Sequence, residues 1–178
     1  MFPDMSLILG VVAVLVATVL QDMIPATALL PVKGFFLTAV AAYYVLAKPR
    51  LMSVVIVIWA GIFTDVLGGL PNGCTFVFLL VVYVLLLVCK RILIEATIFR
   101  GTVLMALLSM FQQVWTHVWV RHTGVTFFSM DMLKLAGFSA IMGLLTGFSM
   151  FVLCTWLERF KGVVDQTATA GEGMNGIV

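Results

Sequence analysis

Long unbroken runs of apolar residues dominate this chain, and short polar segments separate them. The runs are continuous rather than alternating, which favours helices over strands and excludes an outer-membrane barrel. Each run is about 20 residues long, the length that a helix needs to cross a bilayer. The pattern predicts an all-α, polytopic integral membrane protein with six transmembrane helices in a compact bundle. The predicted spans are Met5–Gln21, Ala28–Ala47, Leu51–Leu70, Gly73–Lys90, Gly101–Val120 and Met132–Leu157.

Prolines and charges mark the ends of the predicted spans. We expect the second span to begin near Pro25 or Pro31, because a proline is tolerated in the first turn of a helix. Residues 48–50 end that span, and residues 71–73 end the third. Since both connections are short, the second, third and fourth spans are predicted to be antiparallel neighbours.

Composition excludes an ordinary soluble domain. Of the 178 residues, 63% are hydrophobic and only 10% are charged, whereas soluble domains have about 45–50% apolar and about 25% charged residues. No basic residue precedes Lys33, so the first run lacks the basic start of a signal peptide and is expected to remain as a span. After Lys161 the apolar content falls. Residues 1–160 are therefore predicted to form the membrane domain, and residues 161–178 a disordered cytoplasmic tail.

Basic residues predict the orientation in the membrane. With six spans, one side receives seven of them: Lys48, Arg50, Lys90, Arg91, Arg100, Arg159 and Lys161. The other side receives three: Lys33, Arg121 and Lys134. The positive-inside rule makes the richer side cytoplasmic, with both termini.

Asp65 and His117 are the only ionisable residues well inside the predicted spans. At about 1.5 Å of rise per residue they lie at similar depths, about 21 Å and about 24 Å along their helices. Gln113 precedes His117 by one turn. These three residues could form a polar pocket or proton relay. We favour an interhelical hydrogen-bonded clasp, in which Asp65 also satisfies free N–H groups where the fourth helix begins at Gly73.

Small residues mark the predicted helix contacts. Those around Asp65 imply a close helix approach and a tight re-entry: Gly61, Gly68, Gly69, Pro71 and Gly73. Two further groups are candidates for contact with a partner, because small faces let helices approach closely. They are Gly10, Ala13 and Ala17 in the first span and Gly143 and Gly147 in the sixth.

Motifs for catalysis or cofactor binding are absent from the sequence. No phosphate-binding glycine loop, HExxH or GxSxG occurs, and Ser109 and His117 are about 12 Å apart in rise, too far for a nucleophile and its base. Cys74, Cys89 and Cys154 are interpreted as small buried hydrophobic residues, because they form no metal-binding or disulfide pattern. We expect no enzyme activity, cofactor or metal.

The run from Pro31 to Arg91 resembles the rod shape-determining MreD family of bacteria. That family has a G-x-x-x-D-x-x-x-G-x-x-x-G-like pattern at the end of its third span, which Gly61, Asp65, Gly69 and Gly73 match here. Pro71 and the basic pair at residues 90–91 match as well. The resemblance extends over about a third of the chain in its motifs and over the whole chain in its predicted topology.

The resemblance implies a non-catalytic scaffold in the inner membrane that takes part in cell elongation and peptidoglycan synthesis. Its expected partner is MreC, through which it would be linked to the cytoskeletal protein MreB, the polymerase RodA and its penicillin-binding transpeptidase. No nucleic acid is expected, and association of two copies of the chain stays open.

Two alternatives stay open. The family's fold is similar to the S-components of energy-coupling-factor vitamin transporters, which dock through small residues on their first helix, and Ala13 and Ala17 provide one such step. An S-component also needs an outward pocket with several convergent polar groups. The third hypothesis, a small proton-coupled transporter using Asp65 and His117, has few relay groups to support it.

Overall fold

A computed structural model describes residues 5–23, 34–48, 50–68, 73–89, 98–120 and 130–174 of the chain. These residues form six helices and no strand, so the all-α class and the order of the helices are confirmed. The helices are α1 Met5–Met23, α2 Phe36–Ala47, α3 Arg50–Gly68, α4 Cys74–Cys89, α5 Ile98–Val120 and α6 Met130–Met174.

The second helix begins further along the chain than we expected from the positions of the prolines. Gly34 and Phe35 are not helical, and α2 starts at Phe36. A Cβ at Gly34 would lie 2.4 Å from the Phe36 ring, so the absence of a side chain there makes room for that ring. The expected start near Pro25 or Pro31 lies outside the described residues, but the non-helical Gly34 and Phe35 separate both prolines from this helix, so that expectation was wrong.

The sixth helix is much longer than predicted. It runs through Met174, so residues 161–174, expected to be a disordered tail, are helical. The stretch contains no proline, and adding a residue to an existing helix costs far less than nucleating a new one. Low apolar content was therefore an insufficient reason to end the helix near residue 160; residues 175–178 lie outside the described ranges.

Helix α2 is the centre of the bundle and contacts each of the other five helices. Its side chains are buried on every side, including Ala39, Ala41 and Ala42. A helix that is hydrophobic all round is expected in a core, and its alanines let the neighbouring helices approach. Because α2 is central, it contacts all five neighbours although it has only twelve residues.

Helices α5 and α6 pack antiparallel along much of their length. A Cβ at Gly101 would meet Phe151, and one at Gly147 would meet Met105, so the two helices run in opposite directions. Gln21 meets Leu37 and Asp65 meets Gly73, so α1 with α2 and α3 with α4 are antiparallel pairs as well. One end of the bundle, here called the Asp65 end, gathers the C-terminal parts of α1, α3 and α5 with the start of α2 and α4. The opposite end, the Lys48 end, joins the C-terminus of α2 to α6.

Two helices are long and apolar enough to cross a membrane, over Arg50–Leu67 of α3 and Leu133–Arg159 of α6. Three further apolar helices are shorter within the described residues: Ile8–Met23, Phe36–Ala47 and Cys74–Val88. Helix α5 has 23 residues, but it carries Arg100, Gln112, Gln113 and His117, which lower its apolar character.

Candidate functional site

The carboxylate of Asp65 binds the N-terminus of α4. Its Oδ1 accepts the backbone N–H of Thr75 at 2.8 Å, and its Oδ2 accepts those of Gly73 at 3.1 Å and Phe76 at 3.2 Å. The first N–H groups of a helix have no partner within the helix, and the positive end of the helix dipole favours a negative charge. Asp65, which is only 4% exposed, thus caps α4 from α3. We call this arrangement the Asp65 cap.

Two glycines shape the hairpin that carries the cap. Gly73 has φ +93°, a backbone conformation that residues with a side chain rarely adopt. At Gly61 a Cβ would lie 2.8 Å from the Cα of Phe76, so only glycine allows the two helix backbones to come this close. Gly68 is the last residue of α3, whereas Gly69 and Pro71 lie outside the described residues.

Helix α5 holds the same first turn of α4 from another side. The indole Nε1 of Trp115 donates to the carbonyl oxygen of Cys74 at 3.0 Å. The ring of Trp115 also contacts Phe78, with the ring centroids 6.2 Å apart. Side chains of α3 and α5 therefore bind the N–H groups and a carbonyl of the same helical turn.

Gln113 and His117, the predicted partners of Asp65, are only partly buried on α5. Within the described part of the chain no hydrogen bond joins either of them to Asp65. The neighbouring Gln112 is the buried glutamine, 4% exposed, and its Oε1 accepts the hydroxyl of Thr38 on α2 at 2.8 Å. Neither glutamine therefore binds Asp65; Gln112 points toward α2 and Gln113 does not, because a rotation of about 100° about the helix axis separates neighbouring positions.

A second cap joins α1 to α2. The side-chain Oε1 of Gln21, 7% exposed, accepts the backbone N–H of Leu37 at 3.3 Å. Near the C-terminus of α1, Gln21 thus does for the start of α2 what Asp65 does for the start of α4. The signal in the sequence was a polar residue in the last turn of an apolar helix, two positions before its end.

The five small residues proposed as partner contacts are covered by the chain itself. Ala13 and Ala17 have no exposed surface, and a Cβ added at Gly10 would lie 3.0 Å from Ile56 of α3. Gly143 and Gly147 face Ser109 and Met105 of α5. We therefore correct that expectation: these faces provide close packing inside the bundle, because small residues serve contacts within a chain as well as between chains.

An ion pair joins α2 to α6 at the Lys48 end of the bundle. The Nζ of Lys48, at the C-terminus of α2, contacts Oε2 of Glu158 on α6, and the two side chains are 17% and 20% exposed. Oε1 of Glu158 is buried and has no hydrogen-bond partner within the described ranges. The pair ties the central helix to the longest helix at the end opposite to Asp65.

Replacing Glu158 by leucine is expected to destabilise the fold by about 1–3 kcal/mol, because the ammonium of Lys48 loses this carboxylate in a partly buried place. The double variant Lys48→Met/Glu158→Leu is expected to recover most of that loss, since apolar replacements of buried pairs are often neutral. The unfolding free energies of the unaltered chain and of the two variants, measured in detergent, test this. Equal stabilities of the single and double variants would argue against a coupled pair.

The described residues contain no group of three or more His, Cys, Asp or Glu side chains that could hold a metal ion. The cleft between α1 and α3 is lined by apolar side chains, and so is the groove beside α4. Asp65 borders a shallow depression with Ile58 and Phe76, but its oxygens already accept backbone N–H groups.

Comparisons with protein-family models, with curated proteins and with solved structures find no match for this chain.

Proposed function

We propose that the chain is a multi-pass protein of the bacterial inner membrane, with both termini in the cytoplasm. Two helices have the length and apolarity of a span, and every helix except α2 exposes large apolar side chains. Soluble monomers rarely expose contiguous apolar patches of more than a few hundred Å². Lipid contact on the outer helix faces accounts for this surface, and the shorter helices complete the bundle beside α3 and α6.

Within that membrane the proposed function is a non-catalytic scaffold of the cell-elongation machinery that binds MreC. The observation that carries the proposal is the joint use of the residues that resemble the MreD pattern. Gly61 admits the backbone of α4, Asp65 caps that helix, and Gly73 provides the turn. These three residues stabilise the helical hairpin of α3 and α4, and a rigid hairpin suits a scaffold protein.

The buried polar groups support a scaffold over a transporter. A vitamin-binding S-component would need converging polar groups that are free to meet a ligand, whereas Gln21 and Gln112 bind Leu37 and Thr38 of the same chain. Its docking face on the first helix would need to be accessible, yet Ala13 and Ala17 are fully buried. A proton relay through Asp65 and His117 is likewise disfavoured, because Asp65 already binds three backbone N–H groups.

MreC is the direct partner in this proposal. RodA, its penicillin-binding transpeptidase and MreB would join the assembly through MreC or beside it. The exposed apolar faces of α1, α3, α4, α5 and α6 provide the membrane surface on which a partner's transmembrane helix could pack. A scaffold needs no pocket or reactive group, only stable surfaces.

Depleting the chain in its own rod-shaped host is expected to give round cells, because cell elongation loses a scaffold while cell growth continues. Expression of the unaltered chain from a plasmid should restore rods. The tagged chain should also co-purify with MreC from detergent-solubilised membranes. Cell shape and the recovered MreC are the two measurements.

Rods of normal shape after depletion would rule out the scaffold role. Tight binding of a vitamin, with co-purification of an ATPase-driven transporter, would establish the S-component alternative in its place. Adjacency of the gene to those for MreB and MreC is the least costly supporting observation.

A further inference from the structure

A cleft of about 230 Å³ lies between α1 and α3 on the outside of the bundle. Its walls include Val11 and Leu15 of α1 and Met52, Val55, Trp59 and Phe63 of α3. Gly10 lets the two helices meet at its base, because a Cβ there would touch Ile56 and Met52. The cleft therefore lies where α1 and α3 pack closely against each other.

Trp59 is the unusual residue of this cleft. It stands at the middle of α3, nine residues after Arg50 and nine before Gly68, and it is 52% exposed. Its ring stacks on Phe63 with the centroids 5.6 Å apart. No residue in the described part of the chain accepts a hydrogen bond from its indole N–H, whereas the N–H of Trp115 does have an acceptor.

In the proposed membrane topology, this N–H lies near the middle of the hydrocarbon. Lipid tails have no acceptor at that depth, and the polar lipid groups begin about 15 Å away, half the thickness of a core of about 30 Å. Tryptophan is normally enriched at the two interfaces, where its N–H reaches polar groups. An unpaired N–H in an apolar medium costs roughly 1–3 kcal/mol. An occupant with an acceptor at mid-depth removes that cost, whereas an acyl chain cannot.

We propose that the α1–α3 cleft receives the transmembrane helix of a bitopic partner protein, and that Trp59 donates its N–H to an acceptor on that helix. The partner helix is apolar, so that it fits the walls of the cleft. At mid-depth it presents a hydroxyl or amide side chain, or a backbone carbonyl left accessible beside a small residue. The inference rests on the proposed function, which places the cleft in the bilayer and supplies such a partner.

The exposed face of α4 provides a comparison on the same molecule. Val81, Val84, Leu85 and Val88 border a groove there with aliphatic side chains alone. Such a surface is satisfied by lipid tails, because it has no polar atom that requires a partner. The hydrogen-bond donor of Trp59 distinguishes the α1–α3 cleft from this groove on α4.

Trp59→Phe tests the proposed hydrogen bond, because it removes the N–H and keeps an aromatic ring against Phe63. Binding of purified MreC to the chain in lipid nanodiscs is expected to weaken about threefold to twentyfold, the effect of one interhelical hydrogen bond. The thermal stability of the chain alone should not change. Trp119→Phe is the matched control: Trp119 is also exposed and stacked, on Trp115, but lies at the end of α5. It should bind MreC as the unaltered chain does.

Photo-cross-linking in cells locates the partner. A benzophenone amino acid at Val55, in the cleft, is expected to capture the transmembrane segment of MreC, whereas the same group at Val84 of α4 should not. If MreC co-purifies but Val55 captures only lipid or a second copy of the chain, the cleft proposal fails and the scaffold function stands. Equal binding by the Trp59→Phe and Trp119→Phe variants would also overturn the proposed hydrogen bond. Absence of MreC from the purified protein would overturn the proposed function, and the cleft proposal with it.

Discussion

Replacing Asp65 by alanine is expected to destabilise the fold by about 3–5 kcal/mol, because three backbone N–H groups at the start of α4 lose their acceptor. Leaving a buried donor unpaired costs about 1–3 kcal/mol, and the environment of Asp65 is largely closed to water. The loss should appear in unfolding experiments in detergent. Faster hydrogen exchange of the Gly73, Thr75 and Phe76 amides would locate it at the cap.

Two further variants test this explanation: Asp65→Asn weakens the cap, and Asp22→Ala is the control. Asparagine keeps one acceptor oxygen but turns an NH2 group toward a backbone N–H, so an intermediate loss is expected. Asp22 is an exposed acid near the same end of the bundle, and its removal should change stability by no more than about 0.5 kcal/mol. If Asp65→Ala were as stable as Asp22→Ala yet inactive in cells, the cap would be the wrong explanation and a relay would regain support.

Gly143→Ala is expected to destabilise the α5–α6 pair by about 1–3 kcal/mol, the usual cost of overpacking. The added Cβ would lie 2.0 Å from the Ser109 hydroxyl oxygen and 2.7 Å from the carbonyl oxygen of Met105. Neither atom can move away easily. The carbonyl belongs to the α5 backbone, and the Ser109 hydroxyl is held by the carbonyls of Ala106 and Ser139. The two helices must therefore separate.

Gly137→Ala on the same helix provides the matched control. Its Cβ would have no neighbour within 4 Å, so the variant should be neutral or gain up to about 1 kcal/mol from the better helix propensity of alanine. Opposite signs for two identical substitutions on α6 would establish that space, rather than helix propensity, decides the effect. Equal unfolding free energies of the two variants would contradict the close α5–α6 contact.

The site was predictable in its local part only. Asp65 precedes a cluster of glycines, and a carboxylate near a helix start is a common cap, so its contact with the fourth helix could be inferred from nearby positions. The choice between Gln112 and Gln113 could not, because it depends on how α5 is rotated against α2. The contacts of Gln21 and Glu158 could not be inferred either, because their partners are 16 and 110 residues away in the chain.

The sequence by itself determined the helical class, the order of six helices and the break between α3 and α4, because apolar runs and glycine or proline breaks act over a few residues. Only the tertiary structure decided which helix lies at the centre and what Asp65, Gln112 and the small residues contact. It also decided that Gly143 and Gly147 of α6 pack against α5 of the same chain. These outcomes depend on helix rotation and on contacts between distant parts of the chain, which no local pattern specifies.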